Sequence, residues 1–371
     1  MAARRIRVLV VDDSAVIRQM ICDFIAETGD MEVAGVASSG AKAIELCDAL
    51  RPDVITLDIQ MPEMDGLTAL DAILAKRPVP VILVSSLTQR GAGVTLDALD
   101  RGAMEYVAKP ERKAEAEAVL REELLRKIRS IAGADVRRVL QIRKERKQRR
   151  RQEPCPVHVP KEAAPAGTAE LADKCIALGI STGGPPALAG LFETLRPPMP
   201  PIVVVQHMPP HFTKPLAWRL DSLSALSIQE AADGDILQPN HAYLAPGGRH
   251  LELLRRGNRV KVVLREGEPV SGHKPSADVM MTAAAKAFGP NCLGVIMTGM
   301  GRDGANGCRA IRAAGGFVLG QDEATSDVYG MNKVALVEGS VDRQFALGEA
   351  AAVITRQVRR LGTAGPAVDT P

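Results

Sequence analysis

Near-continuous apolar runs at residues 6–11 (IRVLVV), 31–37 (MEVAGVA), 53–59 (DVITLDI), 80–86 (PVILVSS) and 104–109 (MEYVAK) alternate with stretches of longer period. After the first run, Val16, Ile17, Met20, Ile21, Phe24 and Ile25 recur at helical spacing, and similar patterns follow Gly40, Gly66 and Gly91. Strands apolar on both faces, each followed by an amphipathic helix, predict a parallel sheet covered on either side. A charged amphipathic helix over residues 111–131 closes this set.

The same rhythm resumes after Leu171. A strand runs into Ser181, a helix spans 187–195, a second strand (PIVVVQH) ends at His207 and a helical stretch reaches Trp218. Residues 227–270 carry short alternating runs (HAYLAPG, HLELL, NRVKVVLRE) separated by Gly and Asn, which predict hairpins in a small antiparallel addition. Helix 277–288, strand 292–299, a glycine-rich loop, helix 306–314, the strand FVLGQ and a helix over 345–361 restore the alternation. Between the halves, RRVLQIRKERKQRRRQ (137–152) gives way to a Pro- and Ala-rich tract, the composition of a mobile connector. A basic run can also grip phosphates, but no helix-turn-helix pattern accompanies it, which favours a solvated linker.

Composition narrows the choice. A chain of 371 residues is long for one domain and suits two. A net charge of +3 gives the whole molecule no strong pull toward nucleic acid or membrane, and 3% aromatics argues against a base-stacking surface. Six scattered cysteines without C-x-x-C spacing look like reduced core thiols of a cytoplasmic protein. The N-terminal apolar run is cut short by Asp12 and Asp13, so neither a signal peptide nor a membrane span is expected.

In parallel sheets the chemistry gathers at the carboxyl ends of strands. In the first half Asp12 and Asp13 end the first strand, Asp58 the third, Ser85 the fourth and Lys109 the fifth. Converging carboxylates repel one another, and a hard divalent cation such as Mg²⁺ relieves the repulsion. A carboxylate facing a metal can accept a phosphoryl group, with a lysine and a hydroxyl on its equatorial oxygens. Any one of these residues is ordinary at a loop; all of them in the right places together are not.

In the second half, ALGISTGGPPAL (177–188) reads as strand, tight turn, helix. Its paired glycines permit unusual backbone angles, and Pro185 and Pro186 suit a first helical turn. Residues 179–183 match the G-x-S-x-G nucleophile elbow, although a serine that merely caps the helix satisfies the same position. His207 ends the next strand, and Asp303 follows the strand at 292–299. A serine hydroxyl needs a base, and an imidazole base needs a carboxylate to fix its tautomer. The order Ser, His, Asp differs from the Ser, Asp, His of α/β-hydrolases. His207 and His211 have zinc-ligand spacing, but the prolines between them disfavour a shared helical face. GMGRDG (299–304) literally matches G-x-G-x-x-G before a helix, with Asp322 placed as a ribose ligand would be, which makes dinucleotide binding a rival. A carboxylate at Asp303, inside a loop meant for pyrophosphate, counts against it.

VLVVDDS, DVITLDIQMPEMDG, VILVSS and YVAKP closely resemble the receiver domain of two-component response regulators. LGISTGGPPAL, VVVQHMPPHFTKPLAWRL, YLAPGGRHL, HKPSADVMM, VIMTGMGRDGANG and GQDEATSDVYGM resemble the catalytic domain of chemotaxis protein-glutamate methylesterases. The resemblance implies a flavodoxin-like receiver at residues 5–124, a linker at 125–170 and a doubly wound α/β esterase domain at 171–363. It implies phosphorylation at Asp58, with Mg²⁺ held by Asp12, Asp13, Asp58 and the carbonyl of Gln60, phosphate sensing by Ser85 and Lys109, and an aromatic switch at Tyr106. In the second domain it implies the triad Ser181, His207 and Asp303, supported by Thr182 and Met300, with no cofactor for the ester step. The expected activity is hydrolysis of glutamate methyl esters and deamidation of glutamine on chemoreceptors. A histidine kinase is the expected phosphodonor, the chain a cytoplasmic monomer, and the unphosphorylated receiver a cover over the esterase cleft. Gln60, Lys274, Asp327 and Asn332 depart from the usual glutamate, arginine, apolar residue and proline.

Overall fold

The computed structural model describes residues 4–85, 89–109, 114–152 and 169–361. The chain divides into two compact units, Met1–Arg149 and Arg150–Pro371.

In the first unit the strands are β1 (Ile6–Val11), β2 (Met31–Ala37), β3 (Val54–Asp58), β4 (Val81–Ser85) and β5 (Glu105–Ala108). They form one sheet in the order β2-β1-β3-β4-β5, every pairing parallel. Helices α1 (Ala15–Ala26), α2 (Gly40–Leu50), α3 (Gly66–Lys76), α4 (Gln89–Arg101) and α5 (Ala114–Ile131) make the crossovers and close the unit. The interior strands β3 and β4 are buried along their whole length, which is why their sequences show no alternation. Ser39 and Asp65 cap α2 and α3 by accepting the backbone N–H groups of Lys42 and Thr68.

Part of the expected connector is instead regular structure. Val136–Gln152 is a helix, α6, and its Val136 and Val139 are buried. Leu140 packs where Gly102, at φ +133°, has no side chain, and Arg143 donates to the carbonyls of Leu99 and Ala103. Apolar residues at i, i+3 and i+4 supply a narrow core-facing stripe that the run of basic residues conceals in a composition count. The Pro- and Ala-rich tract beyond it lies outside the described residues.

The second unit opens with a short α7 (Ala169–Ala172) and then follows the sequence β6 (Cys175–Ile180), α8 (Gly184–Thr194), β7 (Ile202–Gln206), α9 (Pro210–Leu223), β8 (Ser227–Glu230) and β9 (His241–Leu244). A hairpin of β10 (His250–Arg256) and β11 (Arg259–Arg265) comes next. The chain finishes with α10 (Ala277–Phe288), β12 (Cys292–Ile296), α11 (Ala305–Ala313), β13 (Phe317–Gln321), α12 (Met331–Val337), β14 (Arg343–Phe345) and α13 (Ala350–Arg360). Seven strands build a parallel sheet in the order β14-β13-β12-β6-β7-β9-β8.

The antiparallel addition is smaller than the sequence predicts. Among the described residues β10 and β11 are the only strands that pair that way, whereas β9, from the HAYLAPG run, pairs parallel with β7 and β8. A short alternating run does not specify the direction of its partner; that is set by the crossovers on either side. In the register of the large sheet Ile180 lies opposite Gln206 and Gly179 opposite Ile296. The carboxyl ends of β6, β7 and β12 therefore stand side by side.

Candidate active site

Ser181 is the first residue beyond β6 and is 7% exposed. Its N–H donates to Thr298 O at 2.9 Å and its carbonyl accepts from Gly184 N at 2.8 Å, a tight turn that lifts the residue off the sheet edge. Gly183 caps α8 at φ +76°, a conformation that favours glycine, and the two prolines occupy the first turn. Ser181 is thus not the helix cap. A side chain on Gly184 would collide with Oε1 of Gln206, whose Nε2 donates to Ser181 O at 3.0 Å and to His207 O at 3.1 Å. This buried carboxamide ties the two strand ends together.

His207 follows β7 directly and is the neighbour of Ser181 across the parallel pair. Its Nε2 lies 2.7 Å from Oδ2 of Asp303, while Nδ1 is buried without a hydrogen-bond partner. Asp303, on the loop that leads into α11, is fully buried against the N-terminus of α10. It accepts from the Ser276 hydroxyl at 2.7 Å, Ala277 N at 2.7 Å and Asp278 N at 3.0 Å. Burial works to raise its pKa, but the hydrogen bond and charge of His207, then Ser276 and the helix N–H groups, hold the carboxyl below the ordinary aspartate value. An ionised Asp303 fixes the proton on Nε2 and leaves Nδ1 as the acceptor.

Thr182 is buried, and its carbonyl accepts from Thr298 Oγ1 at 2.9 Å. Met300 lies on the loop after β12, where a side chain on the preceding Gly299 would stand 2.8 Å from Cβ of Ser181. That loop and the Ser181 turn are in contact. His211 is exposed on α9, apart from the groups that gather around His207.

Asp278 and His273 escaped sequence reasoning. Oδ1 of the buried Asp278 accepts Gly304 N at 2.9 Å and Gly307 N at 2.8 Å, and Asn306 Nδ2 donates to Oδ2 at 3.2 Å. Burial raises its pKa, the Gly307 N–H opposes this, and the charge of Asp303 adds to the rise. These are the donors that a pyrophosphate on the G-x-G-x-x-G loop would need, so a carboxylate of the chain itself fills the dinucleotide position. Asp322 is likewise engaged, accepting from Thr325 N at 2.9 Å. A first-turn aspartate on an amphipathic helix gives no signal beyond a favourable dipole contact. The ring of His273 stacks on that of His207, centroids 3.7 Å apart and 12° between planes.

The four departures have distinct surroundings. Asn332 is buried and donates to Gln321 O and Ser326 Oγ, both at 2.8 Å. Lys274 donates to Gly267 O at 2.8 Å. The Asp327 carboxylate lies where a side chain on Gly183 would come within 2.5 Å of it, beside the Ser181 turn. Gln60 N donates to Asp58 Oδ1 at 3.1 Å.

The first unit gathers its own cluster. Ligand oxygens of Asp12, Asp13 and Asp58 lie within 4.8 Å of one another. Lys109 Nζ sits 2.9 Å from Asp12 and 2.8 Å from Asp58. Burial pushes the Asp58 carboxyl up, against the hydrogen bond and charge of Lys109. Burial also works to lower the Lys109 ammonium, but Asp58 and Asp12 outweigh it and leave a net rise. Ser85 is buried beside this edge and accepts from Thr95 Oγ1 at 2.9 Å. Tyr106 is buried in β5 with Lys127 Nζ 4.8 Å from its ring centroid, and burial raises its phenol well above the usual range. The three carboxylates, each offering a hard oxygen donor, already suit Mg²⁺.

The CheB methylesterase family profile matches residues 176–354, and the response regulator receiver domain profile matches residues 8–121. The protein-glutamate methylesterase/protein-glutamine glutaminase of Pyrococcus abyssi is 41% identical over 370 residues, covering 98% of this chain and 97% of the relative. Protein-glutamate methylesterase/protein-glutamine glutaminase 2 of Pseudomonas aeruginosa is 43% identical over 359 residues, covering 96% and 98%. Among solved structures, the Thermotoga maritima CheB methylesterase catalytic domain is 37% identical, covers 50% of this chain and 97% of that one, and has a TM-score of 0.48.

Proposed function

The chain belongs to the protein-glutamate methylesterase/protein-glutamine glutaminase family, and from that premise we propose that Ser181, His207 and Asp303 hydrolyse receptor glutamate methyl esters under control of phosphorylation at Asp58. The observation that carries the site assignment is the imidazole held by Asp303 through Nε2, with an unpartnered Nδ1 at the strand end next to Ser181. Chymotrypsin-type triads use the two nitrogens the other way round, carboxylate on Nδ1 and serine on Nε2. The chemistry needs only that one nitrogen be protonated and pinned and the other be free.

Ser181 Oγ attacks the ester carbonyl as His207 Nδ1 takes its proton, and the imidazolium returns that proton to the departing methoxide, releasing methanol. Water then attacks the acyl-enzyme with the same imidazole as base, giving a free glutamate and regenerating the serine. With a glutamine side chain the leaving group is ammonia and the remaining steps are unchanged. General-base assistance of this kind is worth about 10² to 10⁴ in rate. Thr182 and Met300, on the two loops that flank Ser181, supply the expected oxyanion donors, each worth about 10² to 10³. No metal or organic cofactor enters the ester step.

In the receiver, Asp12, Asp13, Asp58 and the Gln60 carbonyl would hold Mg²⁺, which when bound screens the charge of the phosphoryl group against these carboxylates. Lys109 and Ser85 are the phosphate-reading groups and Tyr106 the aromatic switch. The partners are a phosphodonor kinase and methylated chemoreceptors. The domain assignment is a receiver at residues 5–124 and an esterase at 171–363, and no helix among the described residues is long and apolar enough to cross a membrane.

The test is methanol release from methylated receptor by the full chain. Ser181→Ala is expected to abolish release, and Asp58→Ala to keep the basal rate while losing stimulation by an acyl-phosphate donor. Full activity in Ser181→Ala would refute the site, and undiminished stimulation in Asp58→Ala would refute the control.

A further inference from the structure

We propose that His273 is a positioning residue for the catalytic base, holding the His207 ring by its face while Asp303 holds it by its edge. The inference rests on the triad reading above and adds a group to it.

One hydrogen bond does not fix a ring. With only the 2.7 Å contact from Nε2 to Asp303, the imidazole of His207 remains able to pivot about that bond, and pivoting redirects Nδ1, the nitrogen that the triad reading assigns to the Ser181 proton. The missing constraint is one against rotation out of plane. A flat ring stacked at 3.7 Å with only 12° between planes supplies it, because any tilt of one ring drives its atoms into the other.

A clamp must itself be rigid, and His273 is. It ends a tight turn in which His273 N donates to Val270 O at 3.0 Å and Val270 N donates to His273 O at 3.1 Å. The two central residues, Ser271 and Gly272, both have positive φ, +53° and +77°, the geometry of a type I′ turn. The ring is locked within this turn, Nδ1 lying 2.8 Å from Ser271 O, so the proton sits on Nδ1 because a carbonyl can only accept. The next residue continues the anchoring, since the Lys274 carbonyl accepts Gly248 N at 3.1 Å.

The face clamp and the edge clamp also share a support. Oδ1 of Asp278 fixes the turn that carries Asp303 through Gly304 N and Gly307 N, and the Ser271 hydroxyl of the His273 turn reaches Asp278 Oδ2 at 3.5 Å. A single buried carboxylate thus connects the two groups that grip the base. The stacked ring acts through His207 and takes no proton from substrate. Its contribution is to the fraction of time that Nδ1 is aimed correctly, which enters kcat and not KM.

The full chain, treated with an acyl-phosphate donor, should be assayed for methanol release from methylated receptor as wild type, His273→Ala, His273→Leu, His273→Phe and Ser181→Ala. His273→Ala and His273→Leu are expected to lose about 10- to 100-fold in kcat with KM within about twofold, the range expected for a misaimed catalytic group. Leucine fills the volume without a flat face, so it also controls for simple loss of packing. His273→Phe is expected to recover to within about threefold of wild type, because the plane is restored without the nitrogens. In proton spectra the downfield Nε2–H signal of His207 should persist in His273→Phe and broaden in His273→Ala. Wild-type kcat in His273→Leu, or a His273→Phe variant no better than His273→Ala, overturns the proposal while an inactive Ser181→Ala leaves the triad standing. An active Ser181→Ala overturns both.

Discussion

Nε2 of His207 and Oδ2 of Asp303 lie 2.7 Å apart although the residues are separated by 96 positions, and the carboxylate is fully buried at a helix N-terminus. The N–H groups that face Asp303 from Ala277 and Asp278 stabilise its charge without competing for the nitrogen it holds. Asp303→Asn would present an amide that can turn an N–H toward Nε2, reversing the tautomer. It is expected to lower kcat by about 10² to 10⁴ with little change in KM. Steady-state methanol release checks this.

The same carboxylate couples stability to pH. Its folded pKa is below the ordinary value, so its contribution is present above the ordinary aspartate range and is lost as pH falls through the folded value. Asp278 has the opposite sign: its folded pKa is raised, so its contribution is complete below the ordinary aspartate value and is lost as pH rises through the folded one. Urea unfolding between about pH 3 and 7 should show a flatter acid slope for Asp303→Asn and a steeper one for Asp278→Asn, relative to wild type.

Gln206 is expected to matter as much as a catalytic neighbour while touching no substrate. Gln206→Ala removes the side-chain donor of the His207 carbonyl, an orphaned acceptor costing about 1 to 3 kcal/mol, while the Ser181 carbonyl keeps the Gly184 N–H. A lowered melting temperature together with about tenfold lower kcat is the expected pair of results. A loss of stability alone would mean that the brace does not align the two strand ends.

Lys109 neutralises two buried carboxylates. Lys109→Met should destabilise the first unit by about 3 to 5 kcal/mol, the range for breaking a buried ion pair by removing one partner. Millimolar Mg²⁺ should restore more stability to this variant than to wild type, and chelation should remove that gain, because the cation binds only the folded cluster. Denaturant titrations with Mg²⁺ and with chelator read both effects.

Asp327 places a carboxylate beside the Ser181 turn of an enzyme whose product is itself a carboxylate. Asp327→Asn should lower KM about threefold on receptor segments with free glutamates next to the ester, and the difference from wild type should shrink at about 1 M salt. Equal KM values at low salt would remove the electrostatic role.

Both parallel sheets were readable from the chain because strands buried on both faces must be apolar at every position and their crossovers must be amphipathic. The strand-end residues Asp12, Asp58, Lys109, Ser181 and His207 could be found by counting to the end of each run. The helix at 136–152 was not readable as such, since Val136, Val139 and Leu140 are few among many arginines and lysines. The direction of β9 and the burial of Asp278 depend on what each meets in space.

The amino-acid order by itself determined which residues end strands, where the glycines and prolines shape the Ser181 turn, and which side chains are candidates for the chemistry, because these follow from local periodicity and backbone sterics. Only the tertiary structure decided that Asp303 takes Nε2 and leaves Nδ1, that Gln206 ties two strand ends, that Asp278 fills the loop a dinucleotide would need, and that His273 lies flat on His207. Those relationships join residues far apart in the chain, and hydrogen bonds and ring contacts of a few ångströms exist only once packing has fixed the elements that carry them.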